Sequence, residues 1–283
     1  MGLSWCHVSR HRFGSPYTNG QMVRHAKRET IAELSKGGHL RGGGHWTRDL
    51  AFSNDGKKLY VSVGSRSNDD DPDTHPEEFQ RADVLEMNPD GSGRKIFVSG
   101  VRNAVGIAVH PRSGELWGST NERDGLGDNV PPDYITNFTP GGFYGWPYSY
   151  TGVKVDPRHR GVHPELVAKA LKPDVLIQAH NASLELCFYT GKQFPAKYHG
   201  DIFASEHGSW NRSVRTGYEV IRIPLEGKTR SQEGEYEDFL TGFVTDSGEV
   251  WGRPVGITVA HDGALLVSDD LSKSIWRVSW VGK

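Results

Sequence analysis

The chain has 283 residues, and its 33 Lys and Arg against 35 Asp and Glu give a formal charge of −2. That balance removes the electrostatic case for nucleic acid or for an anionic membrane surface. No apolar run approaches the ~20 residues of a membrane-spanning helix, and there is no GxSxG, no GxGxxG after a strand and no P-loop, so the usual signatures of serine-nucleophile, nicotinamide and nucleotide chemistry are missing.

The 35 Gly, 15 Pro, 8 Trp, 10 Tyr and 11 Phe, without helix-forming blocks, suit many short strands joined by turns. Cys6 and Cys187 form neither a CxxC pair nor a disulfide framework. The first residues, MGLSWCHVSRHRFG, lack the apolar core of a signal peptide. This predicts either a cytoplasmic protein or a natural start upstream of Met1.

In chain order, residues 1–19 carry little pattern. Residues 20–34 read as strand–turn–strand or as a short helix near their end. In residues 42–68, Leu50, Phe52, Leu59, Val61 and Val63 fall at period two around an Asn54-Asp55-Gly56 turn, which predicts two half-buried strands in a hairpin. His45 stands just before the first of them, where a strand end meets a loop; a merely hydrogen-bonded loop histidine is the plain alternative.

Residues 83–87 and 95–99 flank Asn88-Pro89-Asp90-Gly91 as an outer strand pair. The hairpin pattern returns at 106–120, at 184–206 and at 256–269, with further strands at 218–224, 236–243 and 275–280. An inner hairpin followed by an outer pair, repeated at long period, predicts an all-β fold of the β-propeller type, with stacked sandwiches as the alternative. The repeat around 121–178 carries a long insertion, and the count gives about four to five blades. The domain reading is thus a poorly patterned segment 1–19 and a single propeller over 20–283.

Three clusters besides His45 hold groups suited to chemistry. Arg102 and Asn103, ahead of a strand, offer a fork of donors to a ligand oxygen. Residues 121–133, with Glu122, Arg123, Asp124, Asp128 and Asp133 among glycines, suit a hard cation, Ca²⁺ before Mg²⁺, or simply a charged loop. Phe143, Tyr144 and Trp146 nearby suit an aromatic wall or blade packing. Arg212 and Arg253 place cations at strand–loop junctions. The acidic run 69–73 with His75, Glu77 and Glu78 reads as a solvated loop.

The ordered stretches GGGHWTRDLAFSNDGKKLYVSVGS, GVRNAVGIAVHP, NERDGLGDNVPPDY, GGFYGWPYSY, FYTGKQFPAKYHGDIFASEHGSWNR and GRPVGITVAHDGALLVSDD resemble the soluble pyrroloquinoline quinone (PQQ)-dependent sugar dehydrogenases, most of all their sorbosone dehydrogenase-like branch. The resemblance runs from about residue 20 to the C-terminus. It implies a six-bladed propeller, here short of a blade or more at its N-terminus, with PQQ near the axis and Ca²⁺ beneath it.

Carried over residue by residue, His45 matches the general base toward a sugar hydroxyl. Arg102 and Asn103 match the pair beside the quinone oxygens. The backbone carbonyls of Arg123 and Asp124 match the Ca²⁺ ligands. Arg253 matches an arginine at the cofactor carboxylates, and Arg212 stands in for a lysine near the cofactor. The implied activity is oxidation of a sugar hydroxyl or aldehyde, with electrons passed to an external acceptor other than NAD. The implied setting is periplasmic or secreted, as a monomer or homodimer. A propeller that only binds carbohydrate or a protein partner is the alternative.

Two positions depart from the family pattern. Gly64-Ser65 replaces a Gly-Asp pair that orients the histidine, which predicts a weaker base, with Asp49 as a substitute orienter. Glu185 replaces a glycine and brings bulk and charge toward the centre.

Overall fold

A computed structural model describes residues 2–8, 11–17, 29–35, 44–46, 48–225 and 235–282; residues 2–17 and 29 are described as backbone alone. The chain is almost wholly antiparallel sheet. Strands β1 (Gly2–Val8), β2 (His11–Tyr17) and β3 (Glu29–Glu33) make a three-stranded meander. The N-terminal segment expected to carry little pattern therefore supplies two strands, and Glu29–Glu33 is strand rather than helix. The preceding turn, at 18–28, lies outside the described residues.

Next come β4 (Leu50–Phe52), β5 (Leu59–Val63), β6 (Asp83–Met87) and β7 (Lys95–Ser99), a four-stranded sheet in sequence order. The third sheet runs through β8 (Ala104–Val109), β9 (Leu116–Thr120) and β10 (Asp133–Asn137). The chain then leaves for an insertion holding β11 (Ser149–Tyr150), β12 (Lys154–Val155) and the single turn α1 (Pro164–Val167), and returns as the outer strand β13 (Val175–Ile177). The fourth sheet is β14 (Ser183–Phe188), β15 (Ile202–Glu206), β16 (Glu219–Ile223) and β17 (Glu237–Leu240). The fifth is β18 (Pro254–Val259), β19 (Leu265–Asp269) and β20 (Ser274–Val278).

Apart from the β11–β12 pair of the insertion, each sheet among the described residues is a propeller blade. The first strands of successive blades touch, β4 with β8, β8 with β14 and β14 with β18. Gly106 permits one of these approaches, since a Cβ there would lie 2.4 Å from the Leu184 carbonyl oxygen.

Hydrophobic clusters fill the gaps between blades. Leu34 meets Leu59, Val61 and Met87; Val84 and Val98 meet Ile107 and Leu116; Trp117 and Ile135 meet Leu186 and Ile202; Phe203 and Val220 meet Ile257 and Val267. A blade is thus covered on both faces. This is why β5, expected to be half-buried, is buried at every position while β4 is half-buried. Alternation in β5 separates two buried faces, with Tyr60 to one neighbour and Leu59 and Val61 to the other.

Because neighbouring strands alternate in direction, the starts of β4, β8, β14 and β18 and the ends of β5, β9, β15 and β19 fall at one end of the molecule. Every site residue drawn from the sequence lies in the loops of that end.

Candidate active site

His45 reaches its place through its backbone. Its N–H donates to the Ser65 carbonyl at 2.9 Å, while Arg81 Nη2 donates to the His45 carbonyl at 2.7 Å and to the Ser65 carbonyl at 2.8 Å. The ring is oriented by the same residue. Nδ1 lies 3.1 Å from the Ser65 carbonyl and 3.0 Å from Ser65 Oγ, whose own proton goes to the Ser67 carbonyl at 2.6 Å. A carbonyl only accepts, so Nδ1 carries the proton and Nε2 keeps its lone pair.

The lost carboxylate is thus replaced by a neutral pair of acceptors on Ser65. Asp49, the expected substitute, has its Oδ2 on the Ile107 N–H at 2.7 Å, tying β4 to β8. Burial, then the charge of Arg102, hold the His45 imidazole well below 6.5, so it is neutral and proton-accepting at pH 7.

Gly64 makes this arrangement possible. A Cβ there would stand 2.3 Å from Asn103 Oδ1 and 2.7 Å from His45 Cβ. Asn103 is buried, and its Oδ1 has no hydrogen-bond partner among the described residues. A buried amide left open beside the imidazole fits a ligand that supplies a donor or, with the amide turned, an acceptor.

Arg102 does not present the donor fork expected of it. Nε donates to the Asn68 carbonyl at 3.0 Å, Nη2 to Asn68 Oδ1 at 2.9 Å, and Nη1 to the carbonyls of Glu122 at 2.7 Å and Asn121 at 3.3 Å. Of the five N–H groups of a guanidinium, these bonds leave one on Nη2, with Asp124 Oδ2 at 3.9 Å. What Arg102 offers is a fixed positive charge and a single donor.

The Arg123 guanidinium is turned away into a buried ion cluster. Its Nη1 meets Asp69 at 2.5 Å and Asp156 at 2.9 Å. The Asp124 carbonyl, expected to hold Ca²⁺, already accepts from Asn68 Nδ2 at 3.0 Å and Arg123 Nε at 3.1 Å. In this arrangement that oxygen does not fit a bound cation. The Asp124 side chain instead receives Asn211 Nδ2 at 2.5 Å, with His180 Nδ1 at 3.5 Å.

Arg212 is a rim residue that binds loops together through the Ala179 carbonyl at 3.1 Å and Asn129 Oδ1 at 3.2 Å. Arg253 is half-buried in the next gap, with its Nε on the His207 carbonyl at 3.4 Å. Glu185 lies on β14 and accepts from the Leu186 N–H at 3.3 Å, and burial, then the charge of Asp49, push its carboxyl well above the usual range.

One connected set of bonds therefore joins His45, Ser65, Arg102, Asn68, Asp124, Asn211 and His180. Sequence reading missed Asn68, a hub of this set, and Arg81, which holds the carbonyls of His45 and Ser65, since neither sits in a spacing that marks it. Asn211 and His180 lay inside stretches already carrying the resemblance. Of the aromatic wall, Tyr144 is core, stacked on Tyr134, while Trp146 gives its indole N–H to the Asn68 carbonyl at 2.9 Å.

The model of the glucose / sorbosone dehydrogenase family matches residues 17–211, a span that includes His45, Ser65, Arg102, Asn103 and Asp124. The chain belongs to the glucose/sorbosone dehydrogenase family. A second model, TrAA12-like, matches residues 165–281.

An uncharacterised protein of Borreliella burgdorferi is 35% identical over 242 residues, covering 83% of this chain and 60% of that protein. A pyrroloquinoline quinone-dependent pyranose dehydrogenase of Coprinopsis cinerea is 26% identical over 296 residues, covering 83% and 39%. This family member thus spans less than two thirds of those relatives' lengths. The calcium structure of a Trichoderma reesei carbohydrate-active enzyme of family AA12 superposes with a TM-score of 0.78 at 19% identity, over 97% of this chain and 77% of that one, which establishes the shared propeller fold.

Proposed function

We propose that this chain is the catalytic propeller of a quinoprotein sugar dehydrogenase, oxidising a sugar hydroxyl or hydrated aldehyde with His45 as general base. The observation that carries this reading is the Nδ1 anchor on Ser65, which leaves Nε2 of the half-buried His45 ring unprotonated at neutral pH. Family membership and a pyranose dehydrogenase among the relatives support the substrate class and PQQ. When bound, PQQ would supply the two-electron acceptor for the substrate's C–H hydrogen, to be emptied later by an external acceptor.

The chain's own residues account for the rest. Nε2 takes the proton of the hydroxyl being oxidised, a transfer open to it because the ring is unprotonated at working pH. Arg102 holds positive charge beside the imidazole and one N–H toward negative charge developing in the mouth. Asn103 supplies the open amide, and Arg253 supplies a cation for the cofactor's carboxylates. Ser65 keeps the ring from turning its protonated edge to the substrate.

The test is reconstitution with PQQ, followed by dye reduction with a panel of aldoses. His45→Ala is expected to retain quinone absorbance and to lose dye reduction by at least ~10²-fold, the usual worth of a positioned base. Equal turnover in the variant would remove His45 from the chemistry. Quinone binding with no turnover on any sugar in the parent protein would instead favour a propeller that only binds its ligand.

A further inference from the structure

A cavity of about 670 Å³ lies behind Arg81, between the loop joining β5 to β6 and the insertion before β13. Its volume falls within the ~300–1,000 Å³ of small-molecule sites. Its walls are two irregular segments fastened to each other. Arg158 holds Asp69 at 2.6 Å and Asp70 at 2.9 Å, Tyr148 Oη donates to Asp71 at 2.9 Å, and His163 Nε2 lies 2.8 Å from Asp73.

The floor comes from the sheet. Asp83 opens β6 opposite Ser99, and Ser99 bridges to Phe143, so these three side chains share one face, and all three residues line the cavity. Asp83 is 5% exposed, yet its carboxyl takes no hydrogen bond or ion pair from any described residue. A buried carboxyl without a partner costs stability and is kept where something else meets it. Phe79, at the rim, leaves 69% of its surface in water.

We propose that this cavity is an accessory saccharide-binding site, in which Phe79 and Phe143 cover the C–H face of a pyranose ring and Asp83 meets its hydroxyls. Burial alone raises the Asp83 carboxyl to about 8. At neutral pH it therefore offers one O–H donor and one carbonyl acceptor, the complement of neighbouring hydroxyls. A cationic ligand is disfavoured by the other lining charges. Lys169 and Arg81 are already cations, Asp73 is paired with His163, and Glu78 is bonded to the N–H groups of Arg66 and Ser67 at 2.8 and 2.6 Å. The site contains none of the groups assigned to proton transfer, so it stands or falls separately from the dehydrogenase reading.

The experiment is saturation-transfer NMR and calorimetry on the protein without added quinone, using glucose, maltose and cellobiose, with tetramethylammonium as the cationic counter-probe. At least one saccharide is expected to bind. Asp83→Leu should weaken it about tenfold or more, the scale of one lost buried hydrogen-bonding group, and should leave the melting temperature unchanged or higher. Phe79→Ala, at an exposed position that folding does not need, should also weaken binding, and His45→Ala should leave it unchanged. The proposal fails if no saccharide binds, if binding survives Phe79→Ala and Asp83→Leu intact, if His45→Ala abolishes it, or if tetramethylammonium binds more tightly with the same residue dependence.

Discussion

Ser65 carries more at the scale of single residues than its size suggests. Its carbonyl takes the His45 backbone N–H and its carbonyl and hydroxyl together take Nδ1–H. A carboxylate in the same place would stabilise the imidazolium, whereas two neutral acceptors orient the ring without that gain. Heteronuclear NMR on the protein without cofactor should therefore show His45 as the Nδ1–H tautomer, titrating below the ordinary 6.5. Ser65→Asp should move that titration upward by about one unit, the size of one nearby opposite charge. Ser65→Ala should leave the carbonyl bond and retain a low value. An imidazole that titrates identically in Ser65→Asp would show that residue 65 does not face Nδ1.

Among the elements, the least regular segments are the most firmly tied. The insertion between β10 and β13 has only two short strand pieces and two helical turns, yet it is anchored by Arg123, which joins Asp69 of one loop to Asp156 of the other with little exposure of any of the three. Removing one member of a buried pair leaves its partners charged and uncompensated. Arg123→Met should destabilise the fold by about 3 kcal/mol, which is roughly 6 to 10 °C in melting temperature for a domain this large. Arg158→Met, whose side chain is half exposed, should cost less than about 1 kcal/mol. Calorimetry on the two variants distinguishes the cases, and equal losses would contradict the buried network.

The whole molecule buries several carboxyls whose neutral form is favoured, with Asp133 pushed up to about 6, Glu122 to about 7 and Asp83 to about 8. In the unfolded chain these groups ionise near 4, so between there and their folded values the native state binds more protons and stability falls as pH rises. His45 acts in the opposite direction, its buried neutral ring costing stability as pH drops below 6.5. Melting temperature should therefore decline from pH 6 to pH 8.5. A flat or rising profile would show these carboxyls to be ionised in the fold.

Much of this fold was legible. The strands at 83–87 and 95–99 coincide with β6 and β7 because a turn of Asn, Pro, Asp and Gly separates two short apolar runs. The first two strands were not legible, since His11, Arg12 and Ser15 break any period-two signal there. The positions of His45, Arg102 and Asn103 at one end followed from strand–loop junctions. That the Arg102 donors are spent on Asn68, Asn121 and Glu122 could not follow, because those bonds join three loops whose spatial meeting no local pattern encodes.

Arg81 forms a partition between the two compartments. One side of it borders the cavity floored by Asp83, while its Nη2 grips the carbonyls of both His45 and Ser65. A ligand there that displaces this guanidinium is expected to shift the resonance of the His45 ring, and an unchanged resonance at saturation would show the two compartments to be uncoupled.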